Sequence, residues 1–251
     1  MTTLAVIPAR LGATRLPRKP LRLLGGAPLI VRVWERVRAL AVADQVIVAT
    51  DSDEVAAAAR AAGATVALTR GDHPSGTDRV AEAAAEFGDV TAIVNVQGDE
   101  PFVSAAVVRG ALAMVVDRGF PLGTAAVVAD AAVLARPDVV KVVTADDGRA
   151  LYFSRAPIPF ARDGRSDGAC AAPVLQHVGV YAYAPAALRH WVALPEHPLE
   201  RCERLEQLRP LAAGLAMGVA VVHEAPAPGI DTEHDLAAAN ERWATFNAGW
   251  S

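Results

Sequence analysis

The chain has 251 residues, 53% of them hydrophobic, and a formal charge of -4. That length supports a large core in one α/β domain or a domain with a sizeable insertion, and mild acidity without a long basic run or aromatic-interleaved stripe argues against a nucleic-acid surface. No apolar run approaches a membrane span, Met1-Thr-Thr-Leu4 enters a strand without a signal peptide's charged head, and Cys170 and Cys202 sit in no metal or disulfide pattern; a reducing, cytoplasmic setting without membrane insertion is expected.

The first strand is expected at 3–9. It runs into a loop carrying Arg10, Arg15, Arg18 and Lys19, with Gly12 for a turn and Pro17 and Pro20 delaying any helix. Clustered cations on such a loop point to a polyphosphate site, although each taken singly reads equally as a solvated surface charge. Of the 24 basic residues only Lys19 and Lys141 are lysines, so a compact ammonium is selected at those two positions. A helix over 28–40 follows from Ile30, Val33, Trp34 and Val37 behind Pro28. Further strands are predicted at 45–50, 65–68, 90–96 and 122–128, with a helix after Ser75-Gly-Thr-Asp78 that turns Val80, Ala83, Ala84 and Phe87 inward. This alternation predicts a doubly wound, mostly parallel sheet.

From about 139 the rhythm changes. Two strands, Val139–Thr144 and Gly148–Phe153, flank an Asp146-Asp-Gly148 turn and predict an antiparallel element. An irregular stretch over 154–173 follows, then a strand from Val174 to Ala184, a helix over 198–214, a strand over 218–223 and a closing helix over 232–246. The second half thus reads as a smaller antiparallel extension suited to a substrate lid or a dimer surface.

In an open parallel sheet ligands bind beyond the carboxyl ends of the strands, and three motifs fall there. The Arg10–Lys19 loop carries neither a dinucleotide glycine signature nor a P-loop. Ile93–Pro101 delivers Gln97, Asp99 and Glu100 after a strand, where a carboxylate suits Mg2+ as well as an ordinary acidic turn. Pro226–Asp235 enters the last helix, where Thr232-x-x-Asp235 fits a capping box and Asp231 reads as a cap or as a second metal carboxylate. Ser75–Arg79 is either a capped helix start or a helix N-terminus set against a nucleotide. The charges of Leu199–Leu208, including Glu206 and Gln207, read as a solvated helix face. The histidines and serines offer no zinc or Ser/His/Asp arrangement.

Taken in order, Ile7-Pro-Ala-Arg10, Thr14–Pro20, Ser75–Arg79, Val94–Pro101, Tyr152-Phe-Ser-Arg155, His177-Val-Gly-Val-Tyr181, Leu205-Glu-Gln-Leu-Arg209 and Gly229-Ile-Asp-Thr232 closely resemble the 3-deoxy-manno-octulosonate cytidylyltransferases, or CMP-Kdo synthetases, from residue 4 to about 240. The resemblance implies one nucleotidyltransferase domain over 1–251: a nucleotide-binding half (1–138), an acceptor-sugar and dimerisation half (139–223) and a closing segment (224–251). It implies the Mg2+-dependent reaction of CTP with the acidic sugar Kdo to give CMP-Kdo and diphosphate, for lipopolysaccharide, in a homodimer. By the same resemblance Arg10 and Lys19 hold the triphosphate, and Ser75, Gly76, Thr77 and Arg79 serve the nucleotide. Gln97, Arg155, His177, Tyr181, Glu206 and Gln207 surround the acceptor, Gln97 also reaching the nucleotide, and Asp99 and Asp231 hold the metal. Residues 161–173 depart from the family's pattern, which leaves 8-amino-Kdo or a sialic-type nonulosonate open as acceptor. A non-catalytic nucleotide-binding paralogue is a third reading, disfavoured by the presence of both aspartates.

Overall fold

In the computed structural model, which describes residues 2–12, 15–162, 172–224 and 228–246, the apolar run Leu4 to Ile7 is fully buried within β1 (Thr2–Ala9). In chain order there follow a 3-10 turn (Lys19–Leu21), β2 (Leu23–Leu24), β3 (Ala27–Pro28), α1 (Leu29–Ala39), β4 (Gln45–Thr50), α2 (Asp53–Ala61), β5 (Thr65–Leu68), α3 (Gly76–Ala85) and β6 (Val90–Asn95). The remaining elements are α4 (Ala105–Val116), β7 (Leu122–Val128), a second 3-10 turn (Ala131–Ala135), β8 (Lys141–Thr144), β9 (Ala150–Ser154), β10 (Leu175–Tyr183), α5 (Pro185–Ala193), α6 (Pro198–Glu203), α7 (Leu208–Ala212), β11 (Met217–Val222) and α8 (Glu233–Phe246). The chain divides into two units, residues 1–105 with 226–251 and residues 106–225.

In the first unit β1 pairs in parallel with β4 on one edge and β6 on the other, and β5 extends the sheet beside β4. Strands covered on both faces need continuous apolar runs, which is why Leu4–Ile7, Ile47–Ala49 and Ala92–Val94 are all buried. The predicted helix over 28–40 is α1, and its stripe of Ile30, Val33, Trp34 and Val37 is buried as the spacing requires. The α/β reading therefore holds. α8 is fastened to the same unit by its aromatic end: Trp243 and Phe246 meet Phe102 at 5.9 and 5.1 Å between ring centroids, while Arg32 and Arg242 lie over the Trp243 and Phe102 rings.

In the second unit β7 lies between β11, parallel to it, and β10, antiparallel to it, and the β8–β9 hairpin pairs antiparallel onto β10. The hairpin turns where the sequence predicts, with Gly148 at a φ of 84°. α4 lies so close on β7 that a Cβ on Gly123 would come within 2.2 Å of the Ala111 carbonyl oxygen.

One predicted helix divides. Residues 198–214 form not a single helix but α6 and α7, broken at Arg204, whose φ of 54° is left-handed. The break turns Leu205 and Leu208 into the core and lets Arg209 close a bidentate pair on Glu200, at 2.8 and 2.6 Å, with only a tenth of each side chain exposed. Removing one partner of so buried a pair leaves an uncompensated charge. Glu200→Ala is therefore expected to lower unfolding free energy by about 3 kcal/mol in urea titrations; a change below about 1 kcal/mol would contradict this role.

Candidate active site

Within the first unit the chain proceeds from β1 to β4 and β5 on one side, then returns to β6 on the other. That reversal leaves a crevice at the carboxyl ends of β1 and β6, where an open sheet binds ligands. A cleft of about 360 Å3 lies there, lined by Pro8, Ala9 and Arg10 from the end of β1, by Gln97, Gly98 and Asp99 beyond β6, by Ser75, Gly76 and Arg79 at the start of α3, and by Arg15, Lys19 and Asp231. Gly98 is obligatory in this arrangement, because a Cβ would sit 2.7 Å from the Pro8 carbonyl oxygen.

The basic loop is held from several directions. Leu16 and Pro20 are buried anchors, and the Lys19–Leu21 turn closes with the Lys19 N–H on the Leu16 carbonyl at 3.1 Å. Arg18 forms an ion pair with Glu54, and Arg22 grips Glu233 of α8 bidentately at 2.5 and 2.7 Å. Lys19 is thereby delivered into the cleft in a fixed position. Its Nζ donates to Asp99 Oδ2 at 2.5 Å and to Asp231 Oδ1 at 2.8 Å. Burial pulls the ammonium's pKa down, but the two carboxylates outweigh it and hold Lys19 above the ordinary lysine value. Arg10 lines the same cleft and is exposed, with no ion pair among the described residues.

The two readings of Asp231 separate in the structure. The capping box is made by Thr232 and Asp235: Asp235 Oδ2 accepts the N–H groups of Asp231 and Thr232 at 3.0 and 2.8 Å, and Thr232 Oγ1 accepts from Asp235 N–H at 3.1 Å. Asp231 is thus relieved of capping by its side chain. Its carboxylate instead meets Lys19 and Arg15, the latter at 2.9 Å. The Ile230 N–H donates to the Asp99 carbonyl at 3.0 Å, which ties the two aspartate segments together though 132 positions apart in the chain.

At the α3 start both readings coexist. Ser75 Oγ accepts from the Asp78 N–H at 3.2 Å and donates to its carboxylate at 2.6 Å, a helix cap, yet Ser75 and Gly76 also line the cleft. Thr77 is buried and does not line it. Arg79 is buried against Asp51 at 3.1 Å and Thr69, so its charge is oriented by residues ending β4 and β5. His73 also lines the cleft, held by Glu82; neither Asp51 nor Glu82 carries a motif that would single it out. Glu100 parts from Asp99: it does not line the cleft, and burial, followed by the Asp99 charge, pushes its carboxyl up to about 8.

Arg155, His177, Tyr181, Glu206 and Gln207 belong to the second unit, and there His177 and Tyr181 are neighbours, 5.4 Å between ring centroids. Thr124 Oγ1 donates to the Val180 carbonyl at 2.7 Å, so its contact with His177 Nε2 at 2.9 Å requires the imidazole to donate there; in the neutral ring the lone pair is then on Nδ1. Burial lowers its pKa to about 3. Because an unfolded histidine titrates near 6.5, the unfolded chain takes up a proton that the folded one refuses. Stability is therefore lost as pH falls from about 6.5 towards 3, by up to about 1.4 kcal/mol per pH unit. His177→Asn is expected to flatten that part of the urea-midpoint curve; an unchanged slope would contradict the assignment. Gln207 corrects the solvated-face expectation: it lies in the break between α6 and α7, is buried, and its Nε2 has no hydrogen-bond partner among the described residues. Cys202 is an exposed free thiol, Cys170 and residues 163–171 lie outside the described residues, as do Thr14 and 225–227, and no helix among those described is long and apolar enough to cross a membrane.

Arg10, Arg15, Lys19 and Arg79 line one cleft with Asp99 and Asp231 at the switch point of a doubly wound sheet, an arrangement of the class suited to a polyanionic ligand at the strand ends. The cytidylyltransferase family matches residues 4–217. The chain is 61% identical over 251 residues to the 3-deoxy-manno-octulosonate cytidylyltransferase of Gemmatimonas aurantiaca, covering 99% of this chain and 96% of that one, and 48% identical over 240 residues to that of Leptothrix cholodnii, covering 92% and 88%. A solved structure of CMP:2-keto-3-deoxy-manno-octonic acid synthetase complexed with CTP matches with a TM-score of 0.91 at 39% identity, covering 98% of this chain and all of that one. A 4-diphosphocytidyl-2C-methyl-D-erythritol synthase from Anaerococcus prevotii, 17% identical with a TM-score of 0.63, shares the fold. The chain belongs to the cytidylyltransferase family and, within it, to the 3-deoxy-manno-octulosonate cytidylyltransferases.

Proposed function

We propose that this protein transfers the cytidylyl group of CTP to 3-deoxy-D-manno-octulosonate, forming CMP-Kdo and diphosphate. The observation that carries the reading is the convergence of Lys19, Asp99 and Asp231 in a cleft that also holds Arg10, Ser75, Gly76, Arg79 and Gln97. In the reaction the anomeric hydroxyl oxygen of the sugar forms a bond to the α-phosphorus. The bond from that phosphorus to the bridging oxygen breaks, diphosphate leaves with the electron pair, and the hydroxyl proton is released. Little covalent help is needed; two anions must be brought into line and the charge gathering on the leaving group offset. Arg10 and Lys19 supply fixed positive charge for the phosphate oxygens, and the α3 start with Arg79 orients the nucleotide.

The chemistry of Asp99 and Asp231 suits Mg2+, since two carboxylates that reach one cationic atom at 2.5 and 2.8 Å are the share such an ion takes from protein, with waters and phosphates completing its shell. Asp99 and Asp231 would hold it, and when bound it would polarise the phosphate and acidify the acceptor hydroxyl. In the second unit Arg155 is the bidentate cation for the acceptor's carboxylate, with His177 Nδ1 accepting from a hydroxyl and Gln207 Nε2 donating to an oxygen. A homodimer, a cytoplasmic setting and a place in lipopolysaccharide synthesis belong to the same reading. Kdo as acceptor is supported by the names of both curated relatives.

A coupled diphosphate assay tests this. Release is expected only when CTP, Mg2+ and Kdo are all present, with 8-amino-Kdo and sialic-type sugars competing poorly. Folded protein that releases no diphosphate under those conditions, or prefers another acid sugar, would overturn the assignment.

A further inference from the structure

The second of the chain's two lysines is entirely enclosed. Lys141, at the start of β8, is 0% exposed, and no carboxylate forms an ion pair with it among the described residues. Its Nζ instead donates to the backbone carbonyls of Arg136 at 2.9 Å, of Val139 at 2.8 Å and of Arg155. Three acceptors around one ammonium use its whole set of three donors. Burying a charge without a counter-charge is costly, so the arrangement persists only if something is gained from it. A planar guanidinium could not serve three carbonyls from one compact centre, which accounts for a lysine here in an arginine-biased chain.

What the ammonium holds is the backbone of Arg155, and the same residue is gripped from its other side. Glu203 Oε2 accepts the Arg155 N–H at 2.9 Å, and Oε1 accepts from Ser154 Oγ at 2.6 Å. The guanidinium is aligned as well: Nε donates to the Glu203 carbonyl at 2.8 Å, Nη1 to the Pro137 carbonyl at 3.0 Å, and Nη2 reaches the Arg204 carbonyl at 3.4 Å. Those bonds use three of the five donors of the group. Two remain, the number that one carboxylate takes bidentately.

We infer that Lys141 and Glu203 are positioning residues for acceptor recognition: together they lock Arg155 at its carbonyl and its N–H, so that its two remaining donors meet the acceptor's carboxylate without reordering. This rests on the reading of Arg155 as the residue that receives that carboxylate. Prealigned donors spare the entropy of fixing a long side chain on binding, and loss of the clamp is therefore felt in acceptor affinity and not in CTP affinity.

The test is steady-state kinetics of the full chain at saturating CTP and then at saturating Kdo, for Arg155→Ala, Glu203→Ala, Glu203→Gln and Lys141→Met. Arg155→Ala is expected to raise the Kdo KM about 100-fold, and Glu203→Ala and Lys141→Met about tenfold, with the CTP KM within about twofold of the parent. Glu203→Gln can still accept the Arg155 N–H through its amide oxygen while donating to Ser154, and restores most of the Kdo affinity. If Lys141→Met does not fold, the two Glu203 variants decide. Lower thermal stability or kcat in Glu203→Ala with an unchanged Kdo KM assigns the network to the fold alone and overturns the inference. An unchanged Kdo KM in Arg155→Ala instead removes the reading of Arg155, and the clamp's role with it, while leaving the cytidylyl-transfer assignment standing.

Discussion

Asp99→Asn and Asp231→Asn are each expected to lower kcat by about three orders of magnitude while changing unfolding free energy by no more than about 1 kcal/mol. The asymmetry follows from the geometry. Each aspartate is partly exposed and shares Lys19 with the other, so the loss of one charge leaves the ammonium paired and the fold little affected. In the proposed reaction the demands differ, because two negatively charged reactants must approach, and a cation held by the two aspartates would need both carboxylates. Stopped-turnover assays alongside urea titrations check the pair. Near-parental turnover in either variant would remove the paired-ligand account, and a collapse in stability would make both residues structural.

Lys19→Met is expected to reduce kcat/KM for CTP by about 1,000-fold, since in the proposed reaction it removes a positive charge that would offset phosphate charge in a partly enclosed cleft. Lys19→Arg is expected to recover little of this, because a planar fork does not reproduce a compact ammonium seated between two carboxylates at 2.5 and 2.8 Å. A second readout is independent of turnover. With the ammonium gone, the two carboxylates face each other without their shared counter-charge, and Mn2+ binding measured by electron paramagnetic resonance in the absence of nucleotide is expected to tighten about tenfold. Unchanged or weaker Mn2+ binding in Lys19→Met would mean that the carboxylates do not present a common cation site.

Much of the first unit is legible from residues alone because its strands are buried on both faces. A run such as Leu4–Ile7 or Ile93–Val94 has one sensible environment, and β4 and β5 begin and end where the apolar pattern does. The helix over 198–214 was not legible as two, since the spacing of Leu205 and Leu208 suits one continuous turn pattern. The break depends on a left-handed Arg204 and on the Glu200–Arg209 pair, neither of which has a local signature. Gln207 was obscured for the same reason: among charged neighbours it reads as surface, and only the break buries it.

The site was legible in its chemistry and not in its division of labour. Thr232 and Asp235 could be recognised as a capping box, but only the structure has them relieve Asp231, so that its carboxylate meets Lys19 instead of the helix end. Arg155 stands out in the sequence only through the family resemblance, whereas the carbonyls and the carboxylate that hold it come from segments 18 to 49 positions away. Lys141 offered the one advance signal, its rarity, without saying what a buried ammonium would be for.

Phosphorus NMR of CTP, Mg2+ and Kdo with this protein decides whether the cytidylyl group reaches the sugar. Loss of the β-phosphate resonance of CTP is expected in step with the appearance of equal amounts of diphosphate and a CMP-Kdo phosphodiester. Intact CTP in the presence of folded, nucleotide-binding protein, or CMP and diphosphate without the sugar ester, would contradict it.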